Sequence, residues 1–162
     1  MEARGLSAAR YDQPDMAQKT AKKRPAQSTF SDEEKAAMKE LVRERRRASS
    51  GKADGEADVL AKIAEMQEAD RKIAERIHAI VKASAPNLAP KAWYGMPAYA
   101  RDDKVILFFQ SAHKYKSRYS TLGFQDAAHL DDDEFWPIAF AVTKLTPAVE
   151  AKIAALVKKA AR

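Results

Sequence analysis

Asp131-Asp132-Asp133-Glu134 is the densest run of carboxylates in the chain, and with Asp126 it offers hard oxygen donors of the kind that hold iron, calcium or magnesium. The spacing is not that of an EF-hand loop, and a solvated turn that caps the next element is the competing reading. His113-Lys114-Tyr115-Lys116-Ser117-Arg118-Tyr119 interleaves cations with aromatic rings. That composition binds phosphate or a single nucleic-acid strand by charge and stacking, with Lys114, Lys116 and Arg118 as the cations. A polar connection between two strands has the same composition. Trp93, Tyr94 and Tyr99 present aromatic faces with polar tips, which line ligand grooves and pack cores alike. His113 and His129 have acid and serine neighbours in sequence, but no nucleophile elbow, phosphate-binding loop, dinucleotide fingerprint or zinc motif accompanies them. The chain has no cysteine, which removes disulfides, thiolate metal sites and cysteine nucleophiles. A non-enzymatic role is the expectation.

Several elements must position these groups. With 162 residues, one compact domain plus attachments is expected. Residues 1–29 carry scattered charge and two prolines without a sustained apolar period and read as a disordered leader. Residues 30–57 read as a short helix and a flexible linker. Ser31 and Glu34 have capping-box spacing, and Met38, Leu41 and Val42 form a narrow apolar stripe. From Asp58 the residues Val59, Ile63, Met66, Ile73, Ile77, Ile80 and Val81 share one side of a helical wheel, with Asp70 among them. Either one long helix buries a carboxylate, or the helix breaks near Gln67 and Asp70 opens a second one; the cost of an unpaired buried charge favours the break. Ala85-Pro86 ends the segment.

The period then changes. Trp93 to Tyr99, interrupted by Gly95 and Pro97, suits an edge or bulged strand. Arg101 to Lys104 is a polar turn. Val105 to Gln110, Tyr119 to Phe124 and Pro137 to Thr143 are further strands, and Thr146-Pro147 opens a last helix with a threonine cap and proline at its first position. Helices that bury one stripe each need a shared sheet. The fold class is therefore α+β, an antiparallel sheet of four or five strands with N- and C-terminal helices packed on one face.

The segment Trp93-Tyr94-Gly95-Met96-Pro97-Ala98-Tyr99, followed by Phe108-Phe109-Gln110-Ser111-Ala112, Arg118 to Phe124 and Trp136-Pro137, resembles the YdhG-like bacterial family of domains of unknown function. The resemblance covers about Asp58 to Ala161 and implies a frataxin-like fold over 58–162 and, at the level of the family, an iron-binding or iron-chaperone role. The stripe Asp58, Glu65, Glu68 and Glu75 would stand where frataxins carry an acidic first helix. Lys62, Lys72 and Arg76 share that face, however, and a surface of paired charges is the simpler reading. Two functions remain open: metal binding, with iron as the expected ion, and anion or nucleic-acid binding through residues 113–119. Ligand sequestration in an aromatic pocket beside Trp93 and Trp136 is a third.

Net charge is +6, divided as 13 Lys and Arg against 10 Asp and Glu in residues 1–57 and 16 against 13 in residues 58–162. Neither part is a basic arm. The longest apolar runs fall far short of the roughly 18 to 20 residues that span a bilayer, so no membrane association is expected. The first residues lead into no signal-type apolar stretch, which makes the cytoplasm the expected compartment. Gly95 and Pro97 on an edge strand would discourage pairing between copies, so a monomer is expected.

Overall fold

The structure, a computed structural model, describes residues 30–51 and 54–162. The leader expected over 1–29 lies outside the described residues, as do Lys52 and Ala53 of the linker. Helix α1 spans Asp32–Ser49. Its capping box forms as the spacing predicts: the Glu34 amide donates to Ser31 Oγ at 3.2 Å and the Ser31 amide to Glu34 Oε2 at 2.7 Å. Of the expected apolar stripe, Leu41 alone is turned toward the domain. Met38 and Val42 are 44% and 51% exposed and no residue of α1 is buried. The half-buried side of α1 carries Glu33, Ala37, Glu40, Leu41 and Glu44 instead, so the helix docks mainly by charge.

Asp54 caps helix α2 (Gly55–Ala64), which begins three residues before the expected boundary. Helix α3 spans Glu68–Ser84, and the chain breaks between them at residues 65–67. Asp70 sits in the first turn of α3 and is nonetheless 7% exposed. The break brings its carboxylate within reach of hydrogen-bond donors from the sheet. Ala85 ends α3, as the following proline requires.

Five strands follow: β1 (Ala89–Trp93), β2 (Met96–Arg101), β3 (Lys104–Gln110), β4 (Ser120–Phe124) and β5 (Ala139–Val142), paired antiparallel in chain order. The Trp93–Tyr99 segment is not a single edge strand. Trp93 closes β1, Tyr94 and Gly95 form a two-residue turn, and Met96 opposite Trp93 opens β2, an interior strand. Both turn residues have positive φ (52° and 73°), the geometry that matches a hairpin's right-handed twist. Pairing of β2 with β3 starts at Ala98, after Pro97, so the missing N–H breaks no rung of that ladder. The irregularity expected at Gly95 and Pro97 lies between Tyr99 and Ala100.

Helix α4 (Pro147–Ala160) starts where Thr146-Pro147 predicts, with Thr146 Oγ1 accepting from the Val149 amide at 3.3 Å. Side chains of α2, α3 and α4 meet Tyr99, Leu107, Phe109, Leu122, Phe124 and Val142 of the sheet in one core. Arg76 of α3 clasps Glu150 of α4 through two bonds of 2.8 Å. Among the described residues no helix is long and apolar enough to cross a membrane.

Candidate anion-binding site

Asp70 organises one wall of the site. Its carboxylate accepts from Ser111 Oγ at 2.6 Å, Ser120 Oγ at 3.0 Å and the His113 amide at 2.9 Å. Burial alone would raise this carboxyl, but the three donors hold it below the ordinary aspartate range. Ser111 and Ser120 bracket the connection from β3 to β4, so the clamp fixes both ends of the loop that carries Lys114, Tyr115 and Lys116. Inside that loop the Ser117 amide returns to Ala112 O at 2.9 Å and Lys116 takes a φ of 52°.

The fixed loop meets the Tyr94-Gly95 turn. Tyr115 Oη donates to Tyr94 O at 3.2 Å, and Lys114 Nζ donates to Gly95 O at 2.9 Å. The two turn carbonyls are thus taken up by the loop, while the two turn amides point the other way. Both meet one carboxylate: the Tyr94 amide donates to Glu44 Oε2 at 3.0 Å and the Gly95 amide to Glu44 Oε1 at 2.8 Å. Successive amides in a left-handed turn form an anion cradle, and here it is filled by a side chain of α1.

Two further glutamates of α1 follow the same pattern. Glu40 Oε2 lies 3.0 Å from Lys62 Nζ of α2. That oxygen is buried without an aligned hydrogen bond, so the contact is a charge pair rather than a directed bond. Glu33 pairs with Lys116. A reverse pair, Arg47 of α1 with Asp58 of α2 at 2.6 Å, secures the C-terminal end. Burial pushes the Glu44 carboxyl up, and the turn amides offset this only in part. Burial would also raise Glu40, but Lys62, Arg43 and Lys114 hold it below the usual range. Lys116 brings Glu33 down to about 2. Lys114 is lowered by burial and by neighbouring Lys62, and burial near Glu44 and Glu40 raises Tyr115 to about 12. The site is a cradle of turn amides and lysines with carboxylates in place, half-buried at Lys62, Glu40 and Glu44 and exposed at Lys114 and Lys116.

The packing beneath α1 is open. A cavity of about 270 Å³ lies between α1 and β1, lined by Leu41 and Ala48 on one side and Ala92, Trp93 and Tyr94 on the other. A second of about 130 Å³ is lined by Glu40, Glu44, Ala61 and Lys62.

The sequence candidates divide accordingly. Tyr94, Lys114 and Lys116 come together here, with Trp93 beside them. Arg118 does not join them; its guanidinium stands 5.5 Å from the Tyr119 ring. Tyr99 is a core residue, 1% exposed, with its hydroxyl on His78 Nδ1 at 3.0 Å. Trp136 lines a different cavity of about 440 Å³ near the opposite edge strand, together with Asp126 and Asp131. The single pocket shared by Trp93 and Trp136 therefore does not form. Asp126, Asp131, Asp132, Asp133 and Glu134 are exposed, and among the described residues no group of three or more histidine or acidic side chains is placed to hold a metal. The frataxin-type stripe is split by the helix break. Glu68 pairs with Lys72 as its spacing predicts, whereas Asp58 pairs with Arg47 and Lys62 with Glu40 and Glu65. Sequence reasoning missed Lys62, Glu33, Glu40, Glu44 and the turn amides. The signal for the three glutamates was present, since positions separated by seven and four residues lie on one helical face. Comparison with family models, curated proteins and solved structures found no match.

Proposed function

We propose that this protein is a non-enzymatic binding module for anionic groups, with the Tyr94 and Gly95 amides, Lys62, Lys114 and Lys116 as the receptor. The observation that carries the reading is the Glu44 carboxylate seated across the two turn amides at 3.0 and 2.8 Å. Carboxylate and phosphate oxygens use the same donors, so an anion of either type fits the cradle. The order of helices, five-stranded meander and final helix is what supports a frataxin-like reading of the fold, and the YdhG-like assignment rests on the sequence resemblance of the Trp93 to Tyr99 segment alone. Iron binding is the less supported function, because the described acids do not converge.

Titration of the full-length Glu40→Ala/Glu44→Ala variant with inorganic phosphate, followed by amide chemical shifts, tests the reading. The Tyr94 and Gly95 amides should move saturably, less so in the wild-type chain, and the response should fall when Lys62 and Lys114 are also changed to alanine. If both amides stay fixed while the variant remains folded by circular dichroism, the anion reading fails.

A further inference from the structure

The occupant of the cradle is a helix, and its fit has two defects. Glu33, Glu40 and Glu44 lie on one side of α1 and meet Lys116, Lys62 and the turn amides. Yet Glu40 Oε2 meets Lys62 Nζ at 3.0 Å without hydrogen-bond alignment, and beneath Leu41 and Ala48 lies a partly open cavity of about 270 Å³ whose apolar floor of Ala92 and Trp93 is rimmed by charged side chains. α1 buries no residue, and Met38 and Val42 face away from the domain. Its attachment therefore depends on charge more than on apolar burial, and its exposed pair, Lys116 with Glu33, contributes little.

From the geometry we infer that the receptor takes an acidic helical segment of another protein, with carboxylates spaced like Glu33, Glu40 and Glu44, and that α1 is the resident stand-in this ligand displaces. The inference rests on the anion-binding reading above and adds the form of the ligand. Three receptor points spread along one helical line match a rigid rod of carboxylates better than a free anion, which engages one point at a time. The unfilled cavity adds a preference. A helix with a large apolar side chain at the position of Ala48 would bury it against Ala92 and Trp93, gaining about tenfold in affinity over alanine. A tethered α1 competes at a high effective concentration, so the closed chain resists weak ligands.

The test uses the full-length Glu40→Ala/Glu44→Ala chain and a synthetic peptide with the sequence of residues 31–50. The peptide should bind, move the Tyr94 and Gly95 amides, and weaken steeply with salt. A peptide in which Glu33, Glu40 and Glu44 are all glutamine should bind at least tenfold more weakly, and one with leucine for Ala48 about tenfold more tightly. The wild-type chain, measured in parallel, should bind the first peptide more weakly than the variant does. If phosphate or a single-stranded oligonucleotide moves the amides but no peptide does, anion binding stands and the helical ligand is refuted. If the glutamine peptide binds as well as the parent, carboxylate recognition, and the proposal with it, is refuted. A dimer in the absence of peptide, with the amides already shifted, would make a second copy's α1 the occupant and overturn the proposal. Silence from every probe overturns both readings.

Discussion

Replacing Asp70 with alanine removes the one carboxylate that ties α3 to the ends of the β3–β4 loop. Ser111 Oγ and Ser120 Oγ would keep the amide bonds they accept from Lys114 and Ala112, at 3.3 and 3.2 Å, but their hydroxyl protons and the His113 amide would lose their acceptor. Ser111 and Ser120 are each 2% exposed, so water does not readily replace it. Hydrogen bonds to a charged group are worth about 1.5–3 kcal/mol each, and dismantling a buried charged network costs about 3–5 kcal/mol in total. The expected loss for Asp70→Ala is about 3–5 kcal/mol, seen in urea as a lower midpoint at unchanged slope. Asp70→Asn keeps a side-chain oxygen acceptor and should lose only about 1–2 kcal/mol on the same scale. The amides of Lys114 and Tyr115 should exchange faster in the alanine variant. A loss below about 1 kcal/mol for Asp70→Ala would refute the clamp, being within the range of a single neutral hydrogen bond. Equal losses for alanine and asparagine would assign the effect to charge rather than to the acceptor.

Gly95→Ala puts a side chain at a φ of 73°, with its Cβ 2.5 Å from Lys114 Nζ and 3.1 Å from Glu40 Cγ. The lysine tip can swing aside, so the expected cost is the left-handed backbone penalty of about 1–2 kcal/mol, together with faster exchange in α1. Gly123→Ala places a Cβ 2.3 Å from Phe108 Cζ; the ring must turn, costing about 1–3 kcal/mol in urea and changing the fluorescence of Trp93, which packs on Phe108 at 5.4 Å. Acid should release α1. The Glu33 carboxyl is lowered from 4.5 to about 2 by Lys116, so the docked state binds fewer protons and this contribution, complete above 4.5, is lost as pH falls toward 2. Glu40, also lowered, works in the same direction, while Glu44, raised by burial, works against it, because the docked state binds that proton more tightly. Protection of α1 should therefore hold down to about pH 4.5 and fall below it; equal protection at pH 3 and pH 6 would contradict the charge-docked helix.

Much of the frame was legible in the sequence because local chemistry dictated it. The Ser31–Glu34 box, the Thr146-Pro147 start and the Ala85-Pro86 stop each follow from a few adjacent residues; the break near Gln67 follows from the place of Asp70 in the apolar stripe, although Asp70 is buried after it all the same. Strand β1 was not legible: Ala89-Pro90-Lys91-Ala92-Trp93 has little β-branched character and is defined by its pairing with β2. The turn at Tyr94-Gly95 was hidden because tyrosine is an unusual residue at positive φ, held here by the bonds to Glu44 and Tyr115. The docking face of α1 was not legible from its apolar residues, because Leu41 lies on it beside Glu40 and Glu44 whereas Met38 and Val42 are exposed. Lys62, Lys114 and Lys116 come from two elements far apart in sequence, and the loop lysines reach the turn through tertiary contacts, the Asp70 clamp and the bonds of Lys114 and Tyr115 to the turn carbonyls among them.

Anion binding by this protein requires the paired amides of the Tyr94-Gly95 turn to act as the receptor. Amide hydrogen exchange at these two positions, measured in wild-type and Glu44→Ala chains with and without phosphate, tests this directly. Both amides should be protected in the wild type, exchange at least about tenfold faster in the variant, as loss of one charge-assisted hydrogen bond implies, and regain protection as phosphate is added. Unchanged exchange on removing Glu44, or rapid exchange in the variant that phosphate does not slow, would contradict it.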